Sequence, residues 1–359
     1  MKSPRFAIVG AGNGGQSMAG HLALLGFRVS IWDVEAEKVA ALQRTGHVVL
    51  SGAVQGTAKI DRITGDICEA VRGADVIMVV IPTVYQRSTV KAMASALSDG
   101  QVIVLNPGAT GGALEARKTL REAGVTASVV VAETDTLLYA CRSPQAGEAI
   151  IHGIKDSVDV AALPAAEAAK VAGLLNAAFP QFKPAAGVLF TSLNNGNAMM
   201  HPGPTLLNAG RIECKSPFEY YTEGVTPSIA RVVEKLDDER LGIGRALGVE
   251  LPSIHEFYRR RYGADGANLH EQIRKVQAYE GIQGPTTLNT RYLFEDIPMG
   301  LVPLSCLGKV LGTKTPTMDA VVELGSALLG RDFRAEGRTL ERLGLAGMSG
   351  EEIRRALIA

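Results

Sequence analysis

The stretch RFAIVGAGNGGQSMAGHLALLGFRVSIWD, residues 5–33, decides the fold. Residues 6–9 form a short apolar run and read as a buried strand. The run gives way to Gly10, Ala11, Gly12, Asn13, Gly14 and Gly15, in which the glycines at 10, 12 and 15 fit G-x-G-x-x-G. Helical spacing follows at Met18, Leu22 and Leu25 and stops at Gly26. A second strand, residues 28–32, ends in Asp33. Each part has a physical role. Gly10 permits a tight turn, and Gly12 lets a pyrophosphate approach the backbone. Gly15 lets helix and strand pack closely, and free N–H groups at the helix N-terminus meet the phosphates. Asn13 and Gly14 belong to the same phosphate-facing loop. Asp33 lies where an acid accepts hydrogen bonds from the adenosine ribose. It also repels a 2′-phosphate, and Lys38 is the first cation after it, so the expected cofactor is NAD rather than NADP. Glycine spacing alone is a weak signal, and a glycine-rich turn in some other α/β domain is the competing reading. Strand, glycines, helix, strand and terminal acid in this order favour the dinucleotide site.

The chain of 359 residues has room for two domains, and 46% hydrophobic with 21% charged residues is a globular composition. Lys plus Arg equals Asp plus Glu at 37 each, which gives no support to nucleic acid as a partner. The longest dense apolar run, residues 76–81, falls far short of the ~18–20 apolar residues of a membrane span. No long apolar segment precedes the first strand, so no signal peptide is expected. Cys68, Cys141, Cys214 and Cys306 are far apart, with no C-x-x-C and no metal-ligand spacing. Free thiols in a reducing cytoplasm and no bound metal are the corresponding expectations; small-molecule substrates and a homodimer are expected separately from the cysteines.

Downstream, residues 35–45 have helical spacing. Residues 47–63 alternate and carry Gly52 and Gly56, as short strands or a hairpin inserted before the third helix. Residues 76–81 are a continuous, largely β-branched run suited to a parallel strand buried on both faces. That run ends at Pro82, on the rim where cofactors bind in such sheets, so Pro82 joins the candidate cofactor residues. Residues 102–105 and 128–132 are further strands, and residues 137–142, 149–155 and 157–163 are expected to extend the sheet. Near residue 185 strand-like runs give way to helical spacing. The expected architecture is a Rossmann-type doubly wound α/β sheet with extra strands over 1–185. A mainly α-helical substrate and catalytic domain follows over 186–359.

Two segments of the second half carry chemistry. In TSLNNGNAMMHPGP, residues 191–204, Asn194, Asn197 and His201 are spaced i, i+3, i+7 and share one face of a helix. Pro202 biases His201 away from the helical region, which puts the histidine at a break from which it can reach a cleft. A helix-end histidine satisfied by backbone is the plainer alternative. In GPTTLNTRYLFEDIPMG, residues 284–300, Arg291 suits a substrate carboxylate because a guanidinium binds bidentately. Asp296 or Glu295 suits a histidine, orienting it through Nδ1–H and stabilising its cation. A structural Arg–Glu pair and a helix-capping Asp are the alternatives there. Met199, Met200, Leu206 and Tyr292 offer an apolar wall.

The G-A-G-N-G-G opening, the N-x-x-x-H-P run ending at Pro202 and the R-Y-L-F-E-D-I-P run starting at Arg291 resemble the opine dehydrogenase family, of the octopine and nopaline dehydrogenase type. Length and domain order also fit. The resemblance implies reductive condensation of an α-keto acid, typically pyruvate, with the amine of an L-amino acid, using a nicotinamide cofactor. It implies His201 and Asp296 as a catalytic dyad and Arg291 as the keto-acid anchor. Asn194 and Asn197 would then offer amide groups to the amino acid. A 2-hydroxy-acid dehydrogenase would carry a similar pair and arginine. A ketopantoate or glycerol-phosphate type reductase would be expected to use a lysine on the first helix of the second domain, and none lies between Lys183 and Lys215. A non-enzymatic NAD-binding sensor is the third alternative.

Overall fold

In the computed structural model, which describes residues 3–358, the opening strand β1 (Arg5–Val9) lies inside an eight-stranded sheet. The other strands of the chain are β2 (Arg28–Trp32), β3 (His47–Gly52), β4 (Gly56–Lys59), β5 (Arg62–Thr64), β6 (Val76–Val79) and β7 (Val102–Leu105). They continue with β8 (Val130–Thr134), β9 (Tyr139–Arg142), β10 (Glu148–Ile154), β11 (Val158–Leu163) and β12 (Phe182–Pro184). The large sheet runs β12-β11-β8-β7-β6-β1-β2-β5. From β8 to β5 every pairing is parallel, and β11 joins β8 antiparallel. The apolar runs of β1, β6 and β7 follow from this placement. Strands with neighbours on both sides and helices on both faces need apolar side chains throughout, and Ile8, Ile77 and Val104 are fully buried. Strand order reverses between β1 and β6, so the crevice at their C-terminal ends is the switch point where such sheets bind ligands.

Two of the three expected extra strands do not extend this sheet. β9 and β10 pair instead with β3 and β4 in a separate four-stranded sheet, ordered β4-β3-β10-β9. Only β11, with β12, widens the large one. The second sheet covers helix α1 (Asn13–Leu24), which explains a helix buried almost all round. Met18, Ala19 and Leu22 share one core with Leu50, Ala149 and Ile151. At Gly20 a Cβ would already lie 3.1 Å from the Leu50 side chain. The buried amide of Gln16 bridges the layers, donating to the Ala11 carbonyl and the Ser143 hydroxyl and accepting from the Gly147 N–H.

The described residues up to Ser192, with Leu357, form one compact unit, and Leu193–Ala356 form the other. The division falls at the last residue of the helix Val188–Leu193, whose Thr191 and Ser192 hydroxyls donate to the fully buried Glu133 carboxylate at 2.7 Å each. The second unit is helical. Its longest helix, Pro227–Leu247, starts with Pro at its first position and a Thr226 cap, and it ends at Gly248 in the left-handed conformation. Asp237 and Arg240 form a buried pair on this helix at 2.6 Å. Asp237 also accepts the Ile254 N–H, and Arg240 donates to the carbonyls of Leu193 and Pro252. Removing either partner would leave a buried charge, at a cost of about 3–5 kcal/mol.

Candidate active site

The glycine turn in the first unit has the shape a dinucleotide requires. Gly10 sits at φ +110°, and a Cβ there would lie 2.6 Å from the Val80 carbonyl oxygen. At Gly15 a Cβ would lie 1.7 Å from the Gly10 carbonyl oxygen. Gly12 differs: a Cβ would meet nothing within 4 Å, so the space in front of this residue is open. Gly12 is also the N-cap of α1, and no side chain caps the helix. The first N–H groups of α1 therefore face that open space with the positive end of the helix dipole, which suits a pyrophosphate. Asn13 accepts the Ser143 N–H through Oδ1, and Gly14 packs under Val80 and Leu137. Pro82 precedes a 3₁₀ turn, Thr83–Tyr85, beyond the end of β6. Asp33, at the end of β2, is nearly buried and accepts the Ala11 N–H at 2.7 Å and the Glu35 N–H at 3.0 Å. These residues fit the phosphates and ribose of a dinucleotide, with Asp33 partly committed to the turn itself.

In the second unit, His201 Nδ1 lies 2.7 Å from Asp296 Oδ2. The carboxylate accepts from Nδ1–H, which leaves Nε2 as the working nitrogen. The hydroxyl of Tyr221 lies 3.3 Å from Nε2. Burial holds the Tyr221 phenol well above its ordinary pKa, so it stays protonated and donates to Nε2. Tyr292 stacks on the imidazole, with ring centres 4.1 Å apart. The His201 carbonyl accepts from the Thr205 hydroxyl at 2.8 Å and from the Tyr220 hydroxyl at 2.9 Å. Ring and backbone of His201 are thus both fixed. Asp296 is 8% exposed. Burial pushes its carboxyl above the ordinary 3.8, and the facing imidazole pulls it back. Asp296 sits directly before a π-helical turn, Ile297–Leu301, a wide-turn geometry frequent at functional sites.

The two adjacent acids have separate partners. Asp296 takes the histidine, while Glu295 holds Arg291 through Nε at 2.5 Å. The Arg291 side chain remains 61% exposed.

Three expectations about the histidine segment are corrected. Asn194, Asn197 and His201 do not lie on one continuous helix. The helix Val188–Leu193 ends before Asn194, and a new one, Gly196–Met200, starts after Asn195. Asn195 and Gly196 explain the interruption, since Asn competes for backbone hydrogen bonds and Gly is a weak helix former. Asn197 is exposed, and its carbonyl accepts the His201 N–H at 3.0 Å. His201 is not driven out of the helical region by Pro202. It keeps φ −99° and ψ −51°, and Pro202 begins the next helix, Pro202–Leu207, at the position where proline is tolerated. Met199, Met200 and Leu206 are core side chains at 0–5% exposure, so of the expected wall only Tyr292 lies against the histidine. Tyr221 escaped the sequence reading. The adjacent Tyr220 and Tyr221 were the available signal, but only the fold brings them to His201.

Known proteins resemble both parts of the chain. Residues 184–329 match the family model described as NAD/NADP octopine/nopaline dehydrogenase, alpha-helical domain. Residues 5–133 match the N-terminus of NAD-dependent glycerol-3-phosphate dehydrogenase. An opine dehydrogenase of Arthrobacter sp. (strain 1C) is 46% identical over 358 residues, 99% of each chain. An octopine dehydrogenase of Mizuhopecten yessoensis is 25% identical, covering 93% of this chain and 92% of its own. A solved octopine dehydrogenase, with NADH and L-arginine, superposes with a TM-score of 0.81 at 21% identity, over 98% of this chain and 97% of that one.

Proposed function

The chain belongs to the opine dehydrogenase family, and from that premise we propose that it joins pyruvate to an apolar L-amino acid, with His201 and Asp296 as its acid–base pair. The reaction class follows from the family: an NAD-dependent oxidoreductase acting on CH–NH donors, which reductively condenses an α-keto acid with an amino group. The observation that carries the site reading is the 2.7 Å contact between His201 Nδ1 and Asp296, with Nε2 left for chemistry.

NADH, when bound, supplies the hydride to the former carbonyl carbon. Gly12 and the N-terminus of α1 hold the pyrophosphate, with Asn13, Gly14, Gly15 and Pro82 shaping the loop and rim around it. Asp33 holds the ribose. Keto acid and amine condense to an imine with loss of water. His201 takes a proton at Nε2 from the substrate ammonium as the amine is freed to condense, and returns it to the imine nitrogen as that bond is reduced; both transfers run backwards in the oxidation. Asp296 stabilises the imidazolium and fixes its Nδ1 proton. Tyr221 holds Nε2 until substrate replaces its hydroxyl. Arg291 takes the keto-acid carboxylate with its terminal nitrogens, since Nε is used by Glu295. Asn197, and Asn194 in the break before it, offer amide donors and acceptors to the amino acid. The free thiols of Cys68, Cys141, Cys214 and Cys306 support a reducing cytoplasm, and a homodimer is the proposed assembly.

An NADH-oxidation screen across amino acids, with pyruvate fixed, tests the function. Apolar L-amino acids should start turnover that pyruvate alone does not. No turnover with any amino acid would favour a sensor.

A further inference from the structure

Five aromatic rings continue the site outward from His201. Tyr221, whose hydroxyl lies at Nε2, stacks face to face on Tyr279, with ring centres 3.9 Å apart and planes 14° apart. Backbone pairing explains the contact. Tyr220 donates its N–H to the Ile282 carbonyl and Gly284 donates to the Phe218 carbonyl, which ties the turn Gln277–Tyr279 to the neighbouring tyrosines. Tyr258 and Tyr262 lie four residues apart, and so on one face of the helix Ile254–Tyr262. Their ring centres are 6.0 and 5.5 Å from that of Tyr279, and Phe257 adds a ring 5.9 Å from Tyr262. Tyr221 is 9% exposed, while Tyr262 and Phe257 at the far end are 38% and 37% exposed. The hydroxyls leave the strip uncharged: Tyr258 and Tyr279 pair oxygen to oxygen at 3.3 Å, and burial holds the phenols of Tyr221, Tyr258 and Tyr279 above their ordinary pKa. The last turn of the helix carries Arg259, Arg260 and Arg261 against the acids Glu256 and Asp265, a balance that works against a cationic side chain. Scattered surface aromatics need no explanation, but a contiguous run marks a binding groove, and this one begins at the working nitrogen of the site. The amine of an amino acid must reach Nε2, so its Cα stands at the inner end of the strip.

We propose that this strip takes the side chain of the amino-acid substrate, with Tyr262 and Tyr279 as specificity-determining residues that make aromatic L-amino acids better substrates than aliphatic ones. Edge-to-face and offset contacts with these rings add to the burial that any apolar side chain gains, and only an aromatic side chain can make them.

The test is steady-state kinetics with pyruvate and NADH fixed, read as kcat/KM for L-phenylalanine divided by kcat/KM for L-leucine. Wild type, Tyr262→Ala, Tyr262→Phe and Tyr279→Leu are compared. A ratio taken within one preparation does not depend on how much of the protein is folded. Wild type should favour L-phenylalanine by about threefold or more, and L-arginine should rank below both. Tyr262→Ala and Tyr279→Leu should each lower the ratio about three- to tenfold, the contribution of one aromatic pair. Tyr262→Phe keeps the ring and should keep the ratio. The proposal rests on the reading of this site as an amino-acid site, and turnover with L-leucine checks that reading separately. Without turnover on any amino acid, that reading fails and the proposal falls with it. Turnover in which wild type shows no preference for L-phenylalanine, or one ratio shared by wild type, Tyr262→Ala and Tyr279→Leu, would overturn the role of the strip alone. An equal drop in Tyr262→Phe and Tyr262→Ala would also overturn it, by assigning the effect to the hydroxyl.

Discussion

His201 and Asp296 are separated by 95 residues in the chain, yet Nδ1 and Oδ2 meet at 2.7 Å in a nearly closed environment. Such a contact has two measurable sides. His201→Ala should bind NADH as wild type does while losing about 10²–10⁴-fold in kcat, the usual share of a general acid–base group. Near-full turnover in this variant would place the proton transfer elsewhere.

The stability of the same pair should oppose its activity. Burial raises the Asp296 carboxyl above its unfolded value of 3.8, so its ionisation weighs against folding. The protonated acid carries no such cost: the favourable balance is complete below pH 3.8 and is lost as pH rises through the raised folded value. Asp296→Asn removes the ionisation and keeps an acceptor for Nδ1–H. It should lower kcat yet unfold at an equal or higher temperature than wild type at pH 7, with the gain fading as pH falls toward 3.8. A variant markedly less stable at pH 7 would show that the carboxylate props up the fold.

The two glycines of the turn should fail in different ways. Gly12 has φ −77° and open space around it, so Gly12→Ala should melt like wild type and bind NADH at least tenfold more weakly. In Gly15→Ala the new methyl would overlap the Gly10 carbonyl, and the fold should lose ~3 kcal/mol or more. Thermal melts and NADH titrations separate the two. Equal NADH affinity in Gly12→Ala would mean that the pyrophosphate lies elsewhere.

How much of this was legible beforehand depended on sequence distance. The glycine turn, α1 and the strands around them are specified by neighbouring residues, and their identity could be read directly. The second sheet could not. Alternation over 148–154 marks a strand but says nothing about its partners, and besides the adjacent β9 one of them is β3, about a hundred residues earlier. His201, Asp296 and Arg291 stood out by residue type and setting. The partner of each acid did not, because Glu295 and Asp296 are adjacent and either suited the histidine. Asn194 was misplaced because spacing counted along a helix assumes an uninterrupted helix, and Asn195-Gly196 interrupts it.

The pairing of Arg291 with Glu295 carries its own consequence. Arg291→Lys replaces a planar fork by a point charge. The KM for pyruvate should rise about tenfold, and that for the amino acid much less. Equal changes in both constants would assign Arg291 to general architecture and free the keto-acid carboxylate for another anchor.

Mass spectrometry of the product tests the central claim most directly. Enzyme, NADH and pyruvate would be incubated with and without an apolar L-amino acid labelled with ¹⁵N, such as L-leucine. The expected product is a secondary-amine dicarboxylate that retains the label, formed only when the amino acid is present. Lactate, formed equally fast without any amino acid, would contradict the opine assignment.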